Sequence, residues 1–131
     1  MSIRPIPPGL KHHYYTLDGG WEIIAGHSAS DNEYISLKLG RPREWWFHLK
    51  GAPGSHVLLR HPDDLEPTRT ELEAAAAVAA WHSKARNAGT VSVHAARAGD
   101  VSKPRGAPTG TVVVKKEKAI KVRPGLPPSA S

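Results

Sequence analysis

The sequence predicts an α+β fold: a largely antiparallel sheet with one long helix packed on it. Three observations carry that reading. The chain is 131 residues, one domain's worth of polypeptide and enough for a single modest core. Several short apolar runs are separated by Gly- and Pro-rich turns. One alanine-rich stretch lacks both Gly and Pro and carries helix signals at each end.

In chain order, the stretch Ile3 to Gly9 has three prolines in seven residues and is expected to be extended and loose. Pro124 to Ser131 reads the same way. Residues 1–10 and 124–131 are therefore assigned as flexible tails around one domain at 11–123. Trp21–Ala25 follows the turn signal Asp18-Gly19-Gly20 and reads as a strand, and polar Gly26 to Asn32 as a loop. Glu33 to Leu39 alternates with period two and reads as a half-buried strand. Trp45–Lys50 and His56–Arg60 read as the arms of an antiparallel hairpin. The turn Gly51-Ala52-Pro53-Gly54-Ser55 suits a type II geometry, with Gly54 supplying the positive φ.

The helix follows, over Leu72 to Asn87. Thr68 and Thr70 are both candidate N-caps, because Glu71 and Glu73 each stand three residues on. Lys84 and Arg86 fall in the expected last turn, where the dipole favours cations, and Gly89 reads as the residue just past the end. Val91–Ala95 reads as a strand and Ala98–Gly110 as a loop. Thr111–Val114 and Ala119–Val122 read as a second hairpin around Lys115–Lys118.

Composition narrows the function. Cysteine is absent, which removes disulfides, thiolate zinc sites and a cysteine nucleophile. The longest apolar run, Ala74 to Trp81, is far short of the roughly 20 residues that span a bilayer. The N-terminus has no apolar signal segment, and a cytoplasmic location with no membrane partner is expected. Charge is uneven. Residues 1–83 hold 8 basic and 10 acidic side chains, whereas residues 84–131 hold 10 basic and 2 acidic. A basic third of a domain makes a directional field whose usual partner is nucleic acid, the plain alternative being a solubilising surface.

No nucleophile-elbow, zincin, phosphate-loop or dinucleotide-binding motif is present. His48, His56, His61, Asp63 and Asp64 lie close in sequence, but their spacing fits no metal-ligand pattern, and neither metal nor cofactor is expected. Strand parity puts Trp45, Phe47 and Leu49 on one side and Trp46, His48 and Lys50 on the other. On the returning arm His56, Leu58 and Arg60 share a side. If the polar sides coincide, one face presents Trp46, His48, Lys50, His56 and Arg60, an aromatic and cationic set able to stack on bases and meet phosphates. The alternative is that Trp46 and His48 pack under the helix with the indole N–H hydrogen-bonded.

At this hairpin the run Glu44-Trp45-Trp46-Phe47-His48, followed by Pro53-Gly54-Ser55-His56-Val57, resembles the signature of the NFACT-R domain family, also called the domain of unknown function 814. Gly19–Gly26, the acidic-Asn-acidic Asp31-Asn32-Glu33, the helix ending Ala79–Arg86, and the segments Val101–Pro104 and Pro108–Val112 are similar to other parts of the family pattern. The resemblance covers about residues 14–124. Glu44 and Glu33 stand where the family usually has Asp, and His27 where it often has Arg.

The resemblance implies an RNA-binding module related to ribosome quality-control factors, which bind the stalled large subunit and tRNA and help extend the nascent chain. The chain resembles the stand-alone bacterial form of the domain, so the tailing role is not carried over. The expected function is non-enzymatic binding of tRNA or ribosomal RNA, with the ribosome as a further partner. Trp46 would stack on a base or shape the pocket. His48 and His56 would donate to phosphate or a base edge, and Ser55 with its turn would present N–H groups. Lys50, Arg60, Lys103, Arg105, Lys115, Lys116 and Lys118 would supply the electrostatic footprint. The alternatives are an RNA-modifying or metal-dependent hydrolytic enzyme using His48, His56 and Glu44, and a protein-interaction domain.

Overall fold

A computed structural model describes residues 4–128. The ends of the two expected tails, 1–3 and 129–131, lie outside the described residues. The elements are β1 (His12–Leu17), β2 (Trp21–Gly26), α1 (Ala29–Tyr34), a π-helical turn (Ile35–Leu39), β3 (Trp45–Leu49), β4 (Val57–Arg60), α2 (Arg69–Trp81), β5 (Val91–Arg97), a 3-10 turn (Ala98–Asp100), β6 (Val101–Ser102), β7 (Val113–Val114) and β8 (Lys118–Val122). Six strands form one sheet in the order β1-β2-β4-β3-β5-β8, every pairing antiparallel. β6 and β7 make a separate two-stranded ribbon.

The expected α+β class and antiparallel sheet are present, and four elements differ from expectation. Residues 33–39 are helical, not a strand. Ser28 caps α1 through a capping box with Asp31, whose carboxylate also accepts from the Lys11 N–H. The apolar positions Ile35 and Leu39 are four apart, so they share a helical face as well as a strand face, and both are buried. β1, a strand the sequence reading did not assign, pairs along its whole length with β2. The second hairpin does not form. β7 pairs with β6, and β8 pairs with β5 at the sheet edge.

The fourth difference is the end of α2, which stops at Trp81 and not near residue 87. Beyond His82 the backbone pairs with the β3–β4 turn. Ser55 N–H donates to the His82 carbonyl at 2.9 Å, and Lys84 N–H to the Pro53 carbonyl at 3.1 Å. Those bonds replace the next helical turn. Thr68 closes the other end with Glu71, as a capping box.

Both faces of the sheet are covered. On one, Ile23, Phe47, Leu49, Val57, Leu59 and Val93 share a buried cluster with Ala75, Ala76, Val78, Ala79 and Ala80 of α2. On the other, Ile24 and Leu58 pack with Ile35, Leu39 and Ala98, flanked by Ile6 and Leu10, while Trp46 and Ala96 pack with Val101 of β6. Residues 4–10 are thus less loose than their prolines imply. Arg4 forms a 2.6 Å ion pair with buried Glu44 and donates to the Leu39 carbonyl. At the other terminus Gly125 N–H donates to the Ala77 carbonyl.

Candidate nucleic-acid interface

Register puts Trp46 opposite Leu58 and His48 opposite His94, so the polar sides of the hairpin arms do coincide. They do not form an open face. The π-helical turn, the N-terminal segment and the β6–β7 ribbon lie over them. Trp46 is 2% exposed and its indole N–H donates to Ser36 Oγ at 2.8 Å, so it shows no ring face to a base. The alternative reading, a packed indole with a satisfied N–H, is the one observed, under residues 35–39 and not under α2. His56 is buried, with Nδ1 2.7 Å from the same Ser36 Oγ. Arg60 is buried too. Its Nε donates to Glu22 at 2.7 Å and its Nη2 to the Arg4 carbonyl, so it is a structural cation and not a phosphate contact.

His48 is half-buried, edge-on to His56 at 4.8 Å between ring centroids. Burial, and then the neighbouring His94, holds its pKa below the ordinary imidazole value. Burial and His48 push His56 down to about 4. Both rings are therefore neutral at pH 7, which suits packing and hydrogen bonding better than phosphate neutralisation.

The turn after β3 behaves differently from the buried strand face. Gly54 does not have a positive φ; Gly51 does, at 79°. Gly54 is needed for another reason: a Cβ there would lie 2.8 Å from Ser83 Cβ. The turn and the end of α2 touch through their backbones, and a side chain would wedge them apart. Gly26 has a similar role, since a Cβ would meet Asn32 Oδ1 at 2.1 Å, the oxygen that accepts the His56 N–H.

This junction frames an open pocket of about 460 Å³. Among the described residues it is lined by His13, His27, Ser28, Pro53, Gly54, Ser55, His82, Ser83, Lys84 and Arg86, with no carboxylate among them. Ser55 Oγ donates to the Gly26 carbonyl at 2.6 Å, which ties the turn to β2. His13 and His82 stack at 4.1 Å with their planes 13° apart, and His27 tilts against His13 at 5.9 Å. Burial leads in holding both His13 and His82 below the ordinary imidazole value, His82 at about 4. Lys84 and Arg86 are exposed, and the Arg86 guanidinium lies 4.5 Å over the Trp81 ring while its Nε donates to the Trp81 carbonyl. Of the expected residues only Ser55 lines this pocket.

The remaining expected cations are spread over the adjoining surface. Lys50, Arg105, Lys115, Lys116 and Lys118 are exposed. Lys103 forms a 3.0 Å ion pair with Glu33, so part of its field is cancelled. Glu33 also accepts the Gly110 N–H at 2.9 Å, and these two partners hold its carboxyl below the usual range. The loop 103–111 is thereby fixed beside α1, and Gly110 abuts Ala29 at the pocket rim. Lys118 has its ammonium 4.9 Å from the Trp45 ring centre. Sequence reasoning missed His13, His27, Lys84 and Arg86 as pocket groups. The usable signal was the pair of small residues, Gly54 and Ser83, that lets two distant segments meet.

The family model described as "NFACT protein RNA binding domain" matches residues 11–116. The chain is 35% identical over 111 residues to the Rqc2 homolog RqcH of Streptococcus suis (strain 05ZYH33), covering 85% of this chain and 20% of that protein. It is 33% identical over 121 residues to the Rqc2 homolog RqcH of Bacillus subtilis (strain 168), covering 92% of this chain and 20% of that protein. The chain thus spans about a fifth of the length of these curated relatives. Among solved structures, the C-terminal part of the fibronectin/fibrinogen-binding protein from Streptococcus suis matches with a TM-score of 0.81 and 32% identity, over 92% of this chain and 47% of that one.

Proposed function

The chain belongs to the NFACT protein RNA-binding domain family, and from that premise we propose that it is a non-enzymatic module that binds structured RNA, either tRNA or ribosomal RNA, in a ribosome-related setting. The observation that carries the reading is the carboxylate-free pocket at the β3–β4 turn, flanked by exposed Lys84 and Arg86. Cations without competing acids attract phosphate, and the pocket beside them gives the contact a shape. Exposed Arg105, Lys115, Lys116 and Lys118 extend the attraction along the backbone of a larger RNA.

The hairpin residues have a supporting role in this reading. Trp46, His56 and Ser36 hold the strands and α1 in register, and Ser55 holds the turn. Trp46, His56 and Ser36 shape the pocket without touching RNA, whereas Ser55 lines it. The relatives' names, Rqc2 homolog RqcH, support the ribosome-related setting. The test is a binding titration with tRNA and with a large-subunit rRNA fragment, using Lys84→Ala/Arg86→Ala beside the native sequence. Saturable binding that the double variant weakens supports the reading. No binding to either RNA overturns it.

A further inference from the structure

The pocket brings two kinds of group together. Lys84 and Arg86 stand beyond the end of α2, and the imidazoles lie in succession, His82 stacked on His13 at 4.1 Å and His27 tilted against His13 at 5.9 Å. His82 is braced from beneath by the Tyr15 hydroxyl, 2.6 Å from Nε2. We propose that this pocket takes one unstacked nucleotide of a single-stranded or loop RNA, its phosphate on Lys84 and Arg86 and its base against the imidazoles of His27 and His13. The inference rests on the RNA-binding reading and names the form of RNA that the site selects.

Size, surface chemistry and access support it. The volume of about 460 Å³ falls in the roughly 300–1,000 Å³ range of small-ligand pockets, the scale of one nucleotide and too small for a base pair with its backbones. His13 is neutral at pH 7 because burial depresses its pKa, and a neutral ring is desolvated by a stacked base at lower cost than an imidazolium. Exposed His27 needs no rearrangement to meet that base. An unpaired base of a single strand or loop can lie on the pocket's rings, whereas a continuous duplex keeps its bases in the stack and offers the site chiefly its phosphates.

The test compares a labelled oligouridine of about eight nucleotides with a blunt RNA duplex by fluorescence anisotropy. His27→Ala, at an exposed position, is expected to weaken the single strand by about 5- to 30-fold and to leave the duplex within about twofold. His13→Ala, checked for folding by circular dichroism, gives the same pattern. Lys84→Ala/Arg86→Ala weakens both RNAs. If both histidine variants lower the two affinities equally, or change neither, the nucleotide pocket is wrong while the RNA-binding reading stands. If the native chain binds tRNA but not the oligouridine, the nucleotide pocket is wrong while the RNA-binding reading stands; if it binds neither of these nor tRNA or the rRNA fragment, the RNA-binding reading itself falls.

Discussion

Ser36 Oγ lies 2.7 Å from His56 Nδ1 and 2.8 Å from the Trp46 indole nitrogen. It also donates to the Asn32 carbonyl at 2.8 Å. One hydroxyl has one proton. With that proton on Asn32, the oxygen accepts from both Trp46 and His56, so His56 carries its proton on Nδ1. A single buried side chain of the π-helical turn thus satisfies polar groups on β3 and just before β4.

Ser36→Ala removes the acceptor of two buried N–H donors at once. Each orphaned group costs about 1–3 kcal/mol, so the variant is expected to lose about 2–6 kcal/mol of stability. Chemical denaturation measures this, and Ser36→Thr should recover part of the loss.

Stability should fall in acid through His56. Its folded pKa is about 4, against 6.5 for an unperturbed imidazole. Between these values the unfolded chain binds a proton that the folded chain refuses, so stability is complete above about pH 6.5 and drains as pH falls towards 4. His82, with the same depressed value, adds to the same window. His56→Asn keeps a donor near Ser36 without the titration. Melting curves from pH 7 to pH 4 should be flatter for that variant.

Gly54→Ala places a methyl 2.8 Å from Ser83 Cβ. The turn and the end of α2 must separate, at a cost of about 1–3 kcal/mol. The same separation should weaken tRNA binding, because Ser55 and Lys84 are held by the backbone bonds that the methyl breaks. Gly51→Asn, at a turn with nothing within 4 Å and a positive φ that Asn tolerates, is the control and should leave RNA binding unchanged.

Salt dependence divides the cations. Four to six phosphate contacts give a slope of about −3 to −5 in log K against log salt. Lys84→Ala/Arg86→Ala should make it shallower by about 1.5. Lys115→Ala/Lys116→Ala/Lys118→Ala should weaken tRNA and a homopolymer alike, because these side chains lie on an exposed segment that can follow any backbone.

The β3–β4 hairpin was legible through the alternation of its arms, whose parity put Trp46 and Leu58 on one face, although its turn takes the positive φ at Gly51 and not at Gly54. What the strand pattern does not contain is the layer above that face. Residues 33–39 alternate like a strand, yet Ile35 and Leu39 also satisfy helical spacing, and the Ser28–Asp31 capping box decides between the two. β1 is dense in His and Tyr and follows a proline-rich segment, which hid its pairing with β2. The pocket was legible only through Ser55. Lys84 and Arg86 read as ordinary last-turn cations until the Gly54–Ser83 bridge ends the helix early and turns them towards the hairpin.

The central claim is that RNA is held at the junction of the β3–β4 turn and the end of α2. Ultraviolet crosslinking of the chain to RNA in cells, with mass spectrometry of the adducted peptides, tests it most directly. The account predicts adducts within 27–29, 53–55 and 82–86, flanked by weaker ones at 103–118, and their loss from the first three segments in Lys84→Ala/Arg86→Ala. Adducts confined to the opposite edge of the sheet, or unchanged by that double variant, would contradict it.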